Sequence, residues 1–356
     1  MPSPDPAPHQ RRPRYAGKNP RRFEEKYKEH SPERYAADVA KVLAAGKTPA
    51  GSHRPIMMAE VLAVLALRPG EIAVDCTLGY GGHARELLAR VAPDTAPRRG
   101  RLIGLDVDPI EHPRTTDRLR ALGWGGEVFT PVRSNFAGLP RVLAELGLAG
   151  VDAILADLGV SSMQIDDPAR GFSFKADGPL DLRLNPARPP AAADWLARVT
   201  EADLAAALTE NADEPKADLL ARELTARRTA TPFTRTRQFA DAIRDILNLP
   251  KPVRGEEVDD TPVRRVFQAL RIAVNDEFGV LDLFLHNLPK ALKSGGRVAI
   301  LTFHSGEDRR VKTAFKTGLR EGLYSAISEK VIRAGPEELR ANPRSSSAKL
   351  RWAVRA

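Results

Sequence analysis

Residues 72–91, IAVDCTLGYGGHARELLARV, decide the fold class of this chain of 356 residues. Ile72–Asp75 predicts a short buried strand, and Ala84–Val91 predicts a helix. Three glycines lie between them, where they permit a tight turn and a close approach of the backbone to a ligand. Because a helix that follows such a turn offers unpaired N–H groups, the stretch predicts a strand–turn–helix unit with a binding site at the turn.

The turn matches neither of two common phosphate-binding patterns. No Gly-Lys-Ser/Thr follows it, which excludes a P-loop. Arg85 and Glu86 occupy the region where a regular dinucleotide fingerprint has its third glycine. The turn alone therefore does not identify a ligand.

Four more short apolar stretches predict strands of the same sheet, at residues 102–106, near 127–132, at 153–157 and at 297–302. Helical patterns alternate with them, for example at 59–67 and 284–292. Between the fourth and fifth strands, residues 191–248 carry only helical periodicity. This order predicts a Rossmann-like α/β fold, in which a parallel sheet is covered on both faces and an all-helical segment is inserted.

The composition indicates a globular protein with a polyanionic partner. Apolar residues make up 42% of the chain, which excludes wholesale disorder, and the formal net charge is +9. A single cysteine, Cys76, excludes a disulfide framework and a thiolate zinc cluster. The chain has neither an apolar run long enough for a membrane span nor the apolar stretch of a secretory signal, so we expect a cytoplasmic protein that does not bind membranes.

Residues 1–52 differ from the rest of the chain, because they are rich in proline and arginine. They predict a basic N-terminal extension, and two interpretations stay open: a mobile, solubilising tail, or an electrostatic arm that holds RNA phosphates. The other predicted domains are a sheet domain at 53–164 and 266–356 and an inserted helical domain at 165–265. We assign substrate recognition to the inserted domain.

Two acidic residues end predicted strands at the edge where open α/β sheets bind ligands. Asp106 closes the second strand, and its carboxylate can accept two hydrogen bonds from a ribose diol. The alternative role is a cap of the next helix, for which Asp108 is the better candidate. Asp157 closes the fourth strand and opens a polar segment, which also contains Ser161, Ser162 and Gln164. Such a density of hydrogen-bonding groups favours a functional segment over an ordinary loop.

The segment FHSGEDR, residues 303–309, follows the fifth strand. A serine hydrolase is a poor interpretation, because the serine, histidine and acids are almost adjacent and no G-x-S-x-G turn exists. A metal site is also disfavoured, because the candidate ligands His53, His83 and His304 do not include a helical histidine pair and lack nearby carboxylate ligands at a usual spacing. We therefore predict no metal.

Several longer strings together resemble the bacterial ribosomal RNA small subunit methyltransferase H family. They are DCTLGYGGH, LDVDP, ADLGVSSMQIDDPARGFSFKADGPLDLRLNP, FQALRIAVNDEFGVL, LTFHSGEDRRVK and ANPRSSSAKLR. The resemblance covers residues 53–352 and implies a class I methyltransferase fold with S-adenosylmethionine as its cofactor. The implied reaction is methylation of the exocyclic N4 amino group of a cytidine in the decoding region of 16S rRNA. The implied partner is 16S rRNA or the small ribosomal subunit, and a homodimer is a hypothesis.

The same resemblance assigns cofactor contacts to seven residues. It implies that the methionine and ribose end is held by Gly81, Gly82 and His83. It also implies that the ribose is bound by Asp106 and that Phe136 packs beside the adenine. The remaining cofactor positions match Asp157 and Gln164.

The candidate catalytic residues are Asp157, Ser161 and Ser162. They match the place where amino-methyltransferases of related folds keep oxygen atoms that accept amino hydrogens. The amino lone pair of cytosine is delocalised into the ring, and an oxygen that accepts an amino hydrogen would localise it. The base must also leave its stack, and Phe172, Phe174 and Phe303 are candidate walls for it, although core packing is the commoner role of phenylalanine.

The chain departs from the family pattern at two places. Gly306 stands where the family usually has leucine, and Asp259–Arg265 replaces a more usual His-Pro-Ala-Thr-Arg string. The first departure puts little in doubt, whereas the second leaves the local RNA contacts open.

Two other functions remain to be weighed. A nicotinamide-dependent dehydrogenase shares the strand, the glycine turn and the acid, but the irregular glycine spacing and the polar segment after Asp157 argue against it. An RNA-binding ribosome-assembly protein with a vestigial methyltransferase fold is disfavoured by the intact Gly81, Gly82, Asp106 and Asp157.

Overall fold

A seven-stranded sheet forms the centre of the described residues. The computed structural model describes residues 55–251 and 258–356, so the predicted N-terminal extension lies outside them. The strands are β1 (Ile72–Asp75), β2 (Arg101–Asp106), β3 (Phe129–Arg133), β4 (Val151–Asp157), β5 (Leu292–Thr302), β6 (Tyr324–Ile327) and β7 (Lys349–Arg355). Their order in space is β3-β2-β1-β4-β5-β7-β6. The first five are parallel, and β7 is antiparallel to both of its neighbours.

The α-helices of the same residues surround this sheet or follow β4. They are α1 (Met58–Leu65), α2 (Gly82–Val91), α3 (Glu111–Ala121), α4 (Leu139–Glu145), α5 (Ser162–Asp166), α6 (Ala192–Arg198), α7 (Glu201–Ala212), α8 (Ala217–Ala230), α9 (Thr236–Leu247), α10 (Thr261–Asn275), α11 (Glu277–Ala291), α12 (Ser305–Arg320) and α13 (Pro336–Ala341). Within the two described ranges, no helix is both long enough and apolar enough to cross a bilayer.

The five predicted strands are present, and they confirm the α/β fold class. Val74 of β1 pairs with Ile103 of β2 and Ile154 of β4, and all three side chains are fully buried. One hydrophobic core lies on each face of the sheet. Parallel strands that are covered on both faces have to be continuously apolar, which is the pattern that the sequence shows.

Two features of the sheet differ from the sequence-based expectation. Strand β5 starts at Leu292, five residues earlier than predicted, and its pairing with β4 jumps from Leu292 to Arg297. The predicted turn at 294–296 is therefore a bulge inside the strand, with Gly295 at a φ of 75°. Strands β6 and β7 were not predicted at all, and charged residues interrupt the apolar pattern of β7.

The strand order places a ligand site at the ends of β1 and β4. The chain moves from β1 outward to β3, then returns to β4 on the other side of β1 and continues outward to β5. A reversal of this kind leaves a crevice at the carboxyl ends of the two central strands. Asp75 and Asp157 end these strands, and Asp106 ends the neighbouring β2.

The helices between β4 and β5 share a hydrophobic core of their own. Helices α6 to α9 are present where the sequence shows helical periodicity, and α10 spans the predicted domain limit at Arg265. Their inward residues include Leu196, Leu208, Leu224, Phe239 and Val266. All described residues nevertheless form one compact unit. The domain limits and the role in substrate recognition stay predictions.

A buried ion pair ties the segment after β4 to the end of β2. Arg170 Nη1 donates to Asp108 Oδ2 at 2.7 Å, and both residues are at least nine-tenths buried. Arg170 Nη2 also donates to the carbonyl oxygens of Arg183 and Leu184. Asp108 therefore holds the loop that leads into the helical segment.

Replacing Arg170 tests this tie. Arg170→Leu would leave the Asp108 carboxylate buried without its cation, and we expect the free energy of unfolding to fall by about 3–5 kcal/mol. The matched control is Arg344→Leu, because Arg344 forms a partly exposed pair with Asp166 and should contribute less than about 1 kcal/mol. Urea denaturation measures both. If both variants lose the same free energy of unfolding, the buried pair does not hold the loop in place.

Candidate active site

The glycine turn after β1 brings the backbone of this loop close to α3. Gly79 and Gly81 have φ values of 47° and 78°, which other residues rarely adopt. A Cβ on Gly81 would lie 2.8 Å from Thr115 Cγ2. The turn therefore requires glycine at both positions.

Gly82 makes room for the residues that precede α1. A Cβ on Gly82 would lie 2.8 Å from Pro55 Cγ, so only glycine lets Pro55 pack over the start of α2. The next residue, Ile56, then accepts a hydrogen bond from His83 Nε2 at 3.0 Å. Because a carbonyl oxygen only accepts, the imidazole carries a hydrogen on Nε2.

Asp106 joins β2 to the glycine turn. Its Oδ2 accepts from Gly79 N at 2.6 Å, and its Oδ1 accepts from Asp108 N at 2.8 Å. Burial raises the pKa of Asp106 to about 6. Asp108 caps α3 instead, since its Oδ1 accepts from Ile110 N and Glu111 N. Each Asp106 oxygen keeps a second lone pair, so a ribose diol remains a ligand that this carboxylate can bind.

Asp157 lies between the two central strands and His83. Its Oδ2 is 3.5 Å from His83 Nδ1, while its Oδ1 is buried without a hydrogen-bond partner among the described residues. Burial, followed by the charge of Glu307, raises the pKa of Asp157 to about 7. Such a carboxylate is poised to exchange a proton near neutral pH.

The sequence analysis missed Asp75 as a site residue. Its carboxyl group is fully buried, its Oδ1 accepts from Thr77 N at 3.1 Å, and its Oδ2 has no partner within the described part of the chain. Burial raises the pKa of Asp75 to about 6. The available signal was its position at the carboxyl end of a central strand, which is the same signal that identified Asp106 and Asp157.

Ser161, Ser162 and Gln164 lie at the same edge of the sheet, at the start of α5. Ser161 Oγ accepts from Gln164 N at 3.2 Å, and Gln164 Oε1 accepts from Ser161 N at 2.8 Å. Gln164 Nε2 donates to Asp108 Oδ2 at 2.9 Å. Ser161 and Gln164 thus form a capping box that is anchored to β2, and Ser162 is the first residue of α5. The catalytic and cofactor roles assigned to these residues stay predictions.

The aromatic candidates are distributed over two places. Phe136 is half-buried in the turn after β3, and its ring centroid lies 5.2 Å from that of Phe284. Phe174 packs on Phe267 at 5.3 Å in the core of the helical segment. Core packing accounts for the position of Phe174, and the predicted role of Phe136 beside an adenine is not tested by these contacts.

The segment after β5 builds a cluster of ionisable groups beside Asp157. Glu307 Oε2 accepts from Phe303 N at 2.8 Å, and Glu307 Oε1 lies 3.1 Å from His304 Nε2. Gly306 has a packing reason here, because a Cβ would lie 2.5 Å from Phe278 Cζ. The ring of Phe278 occupies the space that a side chain at residue 306 would need, which explains why glycine stands here.

Glu277, His304 and Glu307 place three ligand atoms within 4.8 Å of one another, a spacing that could hold a metal ion. Arg271, however, donates to both carboxylate oxygens of Glu277, at 2.7 and 2.9 Å. The guanidinium already supplies the positive charge that a metal would bring. We therefore describe this group as an ion-pair cluster around Arg271.

Comparison with known proteins identifies the family. The model of the MraW methylase family matches residues 50–356. The chain belongs to this family. A relative from Lachnoclostridium phytofermentans, named ribosomal RNA small subunit methyltransferase H 1, is 48% identical over 98% of this chain and 93% of its own length. A relative from Geobacter sulfurreducens, named ribosomal RNA small subunit methyltransferase H, is 43% identical over 85% of this chain and 98% of its own length.

Membership of the MraW methylase family makes the protein a methyltransferase and excludes the dehydrogenase alternative. Its cofactor is S-adenosylmethionine. The residues at the carboxyl ends of β1, β2 and β4 fit this cofactor. The sulfonium is a cation, and Asp75 Oδ2 and Asp157 Oδ1 are buried carboxylate oxygens without a described partner. Asp106 would hold the ribose.

The three carboxylates predict how cofactor affinity depends on pH. The pKa values of Asp75 and Asp106 are raised to about 6 and that of Asp157 to about 7, so all three become charged as the pH rises through this range. A cation stabilises the charged forms, and S-adenosylmethionine should bind about tenfold more tightly at about pH 7.5 than at about pH 5.5.

S-adenosylhomocysteine is the matched control, because it lacks only the methyl group and the sulfonium charge. Its affinity should change much less over the same range. Titration calorimetry in two buffers of different ionisation enthalpy measures both affinities and the protons released. Parallel pH curves for the two ligands would contradict an acidic site that recognises the sulfonium.

Proposed function

We propose that the protein transfers a methyl group from S-adenosylmethionine to the exocyclic N4 amino group of a cytidine in the decoding region of 16S rRNA. Methylation of ribosomal RNA follows from the family and from the names of the relatives. The resemblance in the sequence motifs supports the finer assignment. We also place the enzyme in the cytoplasm with the small ribosomal subunit, and a homodimer stays a hypothesis.

The observation that carries the proposal is the carboxylate of Asp157. It ends a central strand, one of its oxygens is buried without a described partner, and burial raises its pKa to about 7. An amino group conjugated to a ring is a weak nucleophile and must lose a proton. A carboxylate at this place can orient the amino group by accepting a hydrogen bond, and it can also take the proton that the amino group loses.

Asp157 would act in two steps. Its carboxylate first accepts a hydrogen bond from the amino group, which localises the nitrogen lone pair and orients it. When bound, the cofactor supplies an electrophilic methyl group. Once the nitrogen has formed its bond to carbon, it carries a positive charge, and Asp157 takes one of its protons. Ser161 and Ser162, in the loop and helix start that follow Asp157, are candidates to hold the cytosine.

The experiment that tests the reaction compares 16S rRNA from cells with and without this protein. Nuclease digestion and mass spectrometry should show one methylated cytidine in the decoding region that is lost without the protein and restored by it. Fragmentation distinguishes a methyl group on N4 from one on the ring carbon or the ribose. An unchanged set of modified nucleosides would support the vestigial, non-enzymatic alternative instead.

Asp157→Asn separates chemistry from binding. The amide keeps one acceptor oxygen but lacks the charge and the basicity. We expect the single-turnover methylation rate at saturating S-adenosylmethionine to fall by about 10²-fold or more. The affinity for the cofactor should fall less, because one acceptor survives.

Asp117→Asn, at an exposed position of α3, is the control for loss of a carboxylate and should keep the rate. If Asp157 only orders the cofactor, saturating cofactor should restore the rate of Asp157→Asn. That outcome would remove Asp157 from the proton-transfer step and direct attention to Ser161 and Ser162.

A further inference from the structure

The imidazole of His83 faces the carboxylate of Asp157. The Nδ1 to Oδ2 distance is 3.5 Å, and His83 is 7% exposed. We propose that His83 Nδ1 and Asp157 Oδ2 share the proton that Asp157 accepts, so that His83 is a positioning residue for the base of the reaction. This inference rests on the proposed function where it concerns catalysis, and on geometry alone where it concerns the shared proton.

The backbone of Ile56 fixes which ring nitrogen can take part. Its carbonyl oxygen holds the hydrogen of His83 Nε2, so Nδ1 of a neutral ring carries only a lone pair. That lone pair lies 3.5 Å from an oxygen that also carries lone pairs. Two acceptors in this arrangement attract each other only when a proton lies between them.

Among the described residues, the charged groups that face the pair are acidic, and no lysine or arginine forms an ion pair with it. Asp75, with Asp106 behind it, faces the pair from the sheet, Glu307 faces Asp157 from α12, and Glu338 faces His83 from α13. The guanidinium of Arg271, whose charge acts on Glu307, donates both of its hydrogen bonds to Glu277.

The raised pKa of Asp157, about 7, and the pKa of His83, which burial lowers, agree with this arrangement. Burial disfavours both the carboxylate and the imidazolium, whereas a proton held between them leaves the pair neutral. The two groups should therefore titrate as one unit.

The pair would receive the proton of the amino group in a balanced step. The N4–H bond breaks, its electron pair stays on nitrogen and cancels the positive charge there, and the proton comes to lie between Oδ2 and Nδ1. The form without a proton is the active base. Burial and the charge of Glu307 already raise the pKa of Asp157. Because Nδ1 stabilises the protonated form, it raises the apparent pKa of the pair further.

The first test needs no RNA. In protein with ¹⁵N-labelled histidine, NMR should show His83 as the Nε2–H tautomer, with an Nδ1 signal that titrates between about pH 6 and 8. In Asp157→Asn the titration in this range should disappear, because burial keeps the isolated imidazole neutral. The exposed His286 is the internal control, and its signals should be the same in both proteins. Identical His83 titrations, or an Nδ1–H tautomer, would overturn the proposal.

The second test measures catalysis with two replacements. His83→Gln places an amide near Nε2 and can keep the bond to Ile56, whereas His83→Asn places one near Nδ1 and can keep a contact with Asp157. Neither amide can accept a proton as imidazole does. In single-turnover reactions at saturating cofactor, both variants should move the acidic limb of the pH–rate profile about one unit lower.

His286→Gln, which removes an imidazole elsewhere, should leave the limb in place. An unmoved limb in both His83 variants, or a limb that moves to higher pH, would overturn the proposal. If wild-type protein does not methylate 16S rRNA at all, the proposed function fails, and the NMR titration still decides whether the pair shares a proton. If one His83 variant does not fold, the other variant and the NMR titration of Asp157→Asn still test the proposal.

Discussion

The hydrogen bond from Gly79 N to Asp106 Oδ2, at 2.6 Å, connects the two loops on which the site is built. The turn after β1 holds left-handed backbone that has little stability of its own, and the carboxylate at the end of β2 fixes it in place. Asp106 also accepts from Asp108 N, so the same group orders the entry to α3. This carboxylate therefore orders the turn from which α2, with His83 opposite Asp157, begins.

That dependence has an energetic cost. Asp75, Asp106 and Asp157 end adjacent strands, and burial raises the pKa of each, which means that the folded protein disfavours their charged forms. Above about pH 7 the folded state carries these charges against the penalty, so they reduce its stability relative to a chain in which the same groups are solvated. A group arrangement that weakens the fold persists where function requires it. A cation such as the sulfonium of S-adenosylmethionine would relieve this penalty.

The parts that the sequence predicted are those in which a local pattern matches a local structure. Strands β1 to β5 are short and continuously apolar, and the position after such a strand identified Asp106 and Asp157. Asp75 obeys the same rule but was taken only as the end of a strand. Strand β7 was not predicted because Arg351 interrupts its apolar pattern. The buried guanidinium of Arg351 is paired with Asp308, which is distant in sequence.

Other parts of the site have no sequence signal at all. The tautomer of His83 is set by the carbonyl oxygen of Ile56, and every residue has a carbonyl oxygen. The contact exists because Gly82 lets Pro55 pack closely, so it follows from tertiary packing. The roles of Ser161 and Gln164 in capping α5 can be read from their three-residue spacing, but the bond from Gln164 to Asp108 cannot.

The distribution of buried acids separates structural groups from functional ones. Asp108, Glu277 and Asp308 are each paired with an arginine at 2.7 Å, and their charges are neutralised inside the chain. In the described ranges, none of Asp75, Asp106 and Asp157 is paired with lysine or arginine. The imidazole of His83 lies 3.5 Å from Asp157 Oδ2. An arginine at this place would stabilise the fold, but it would also fill the position of a cationic ligand and hold Asp157 permanently charged. The imidazole of His83, a group that can gain or lose a proton, lies beside Asp157 instead. In the proposed mechanism this arrangement would keep the site both attractive to a cation and able to take up a proton.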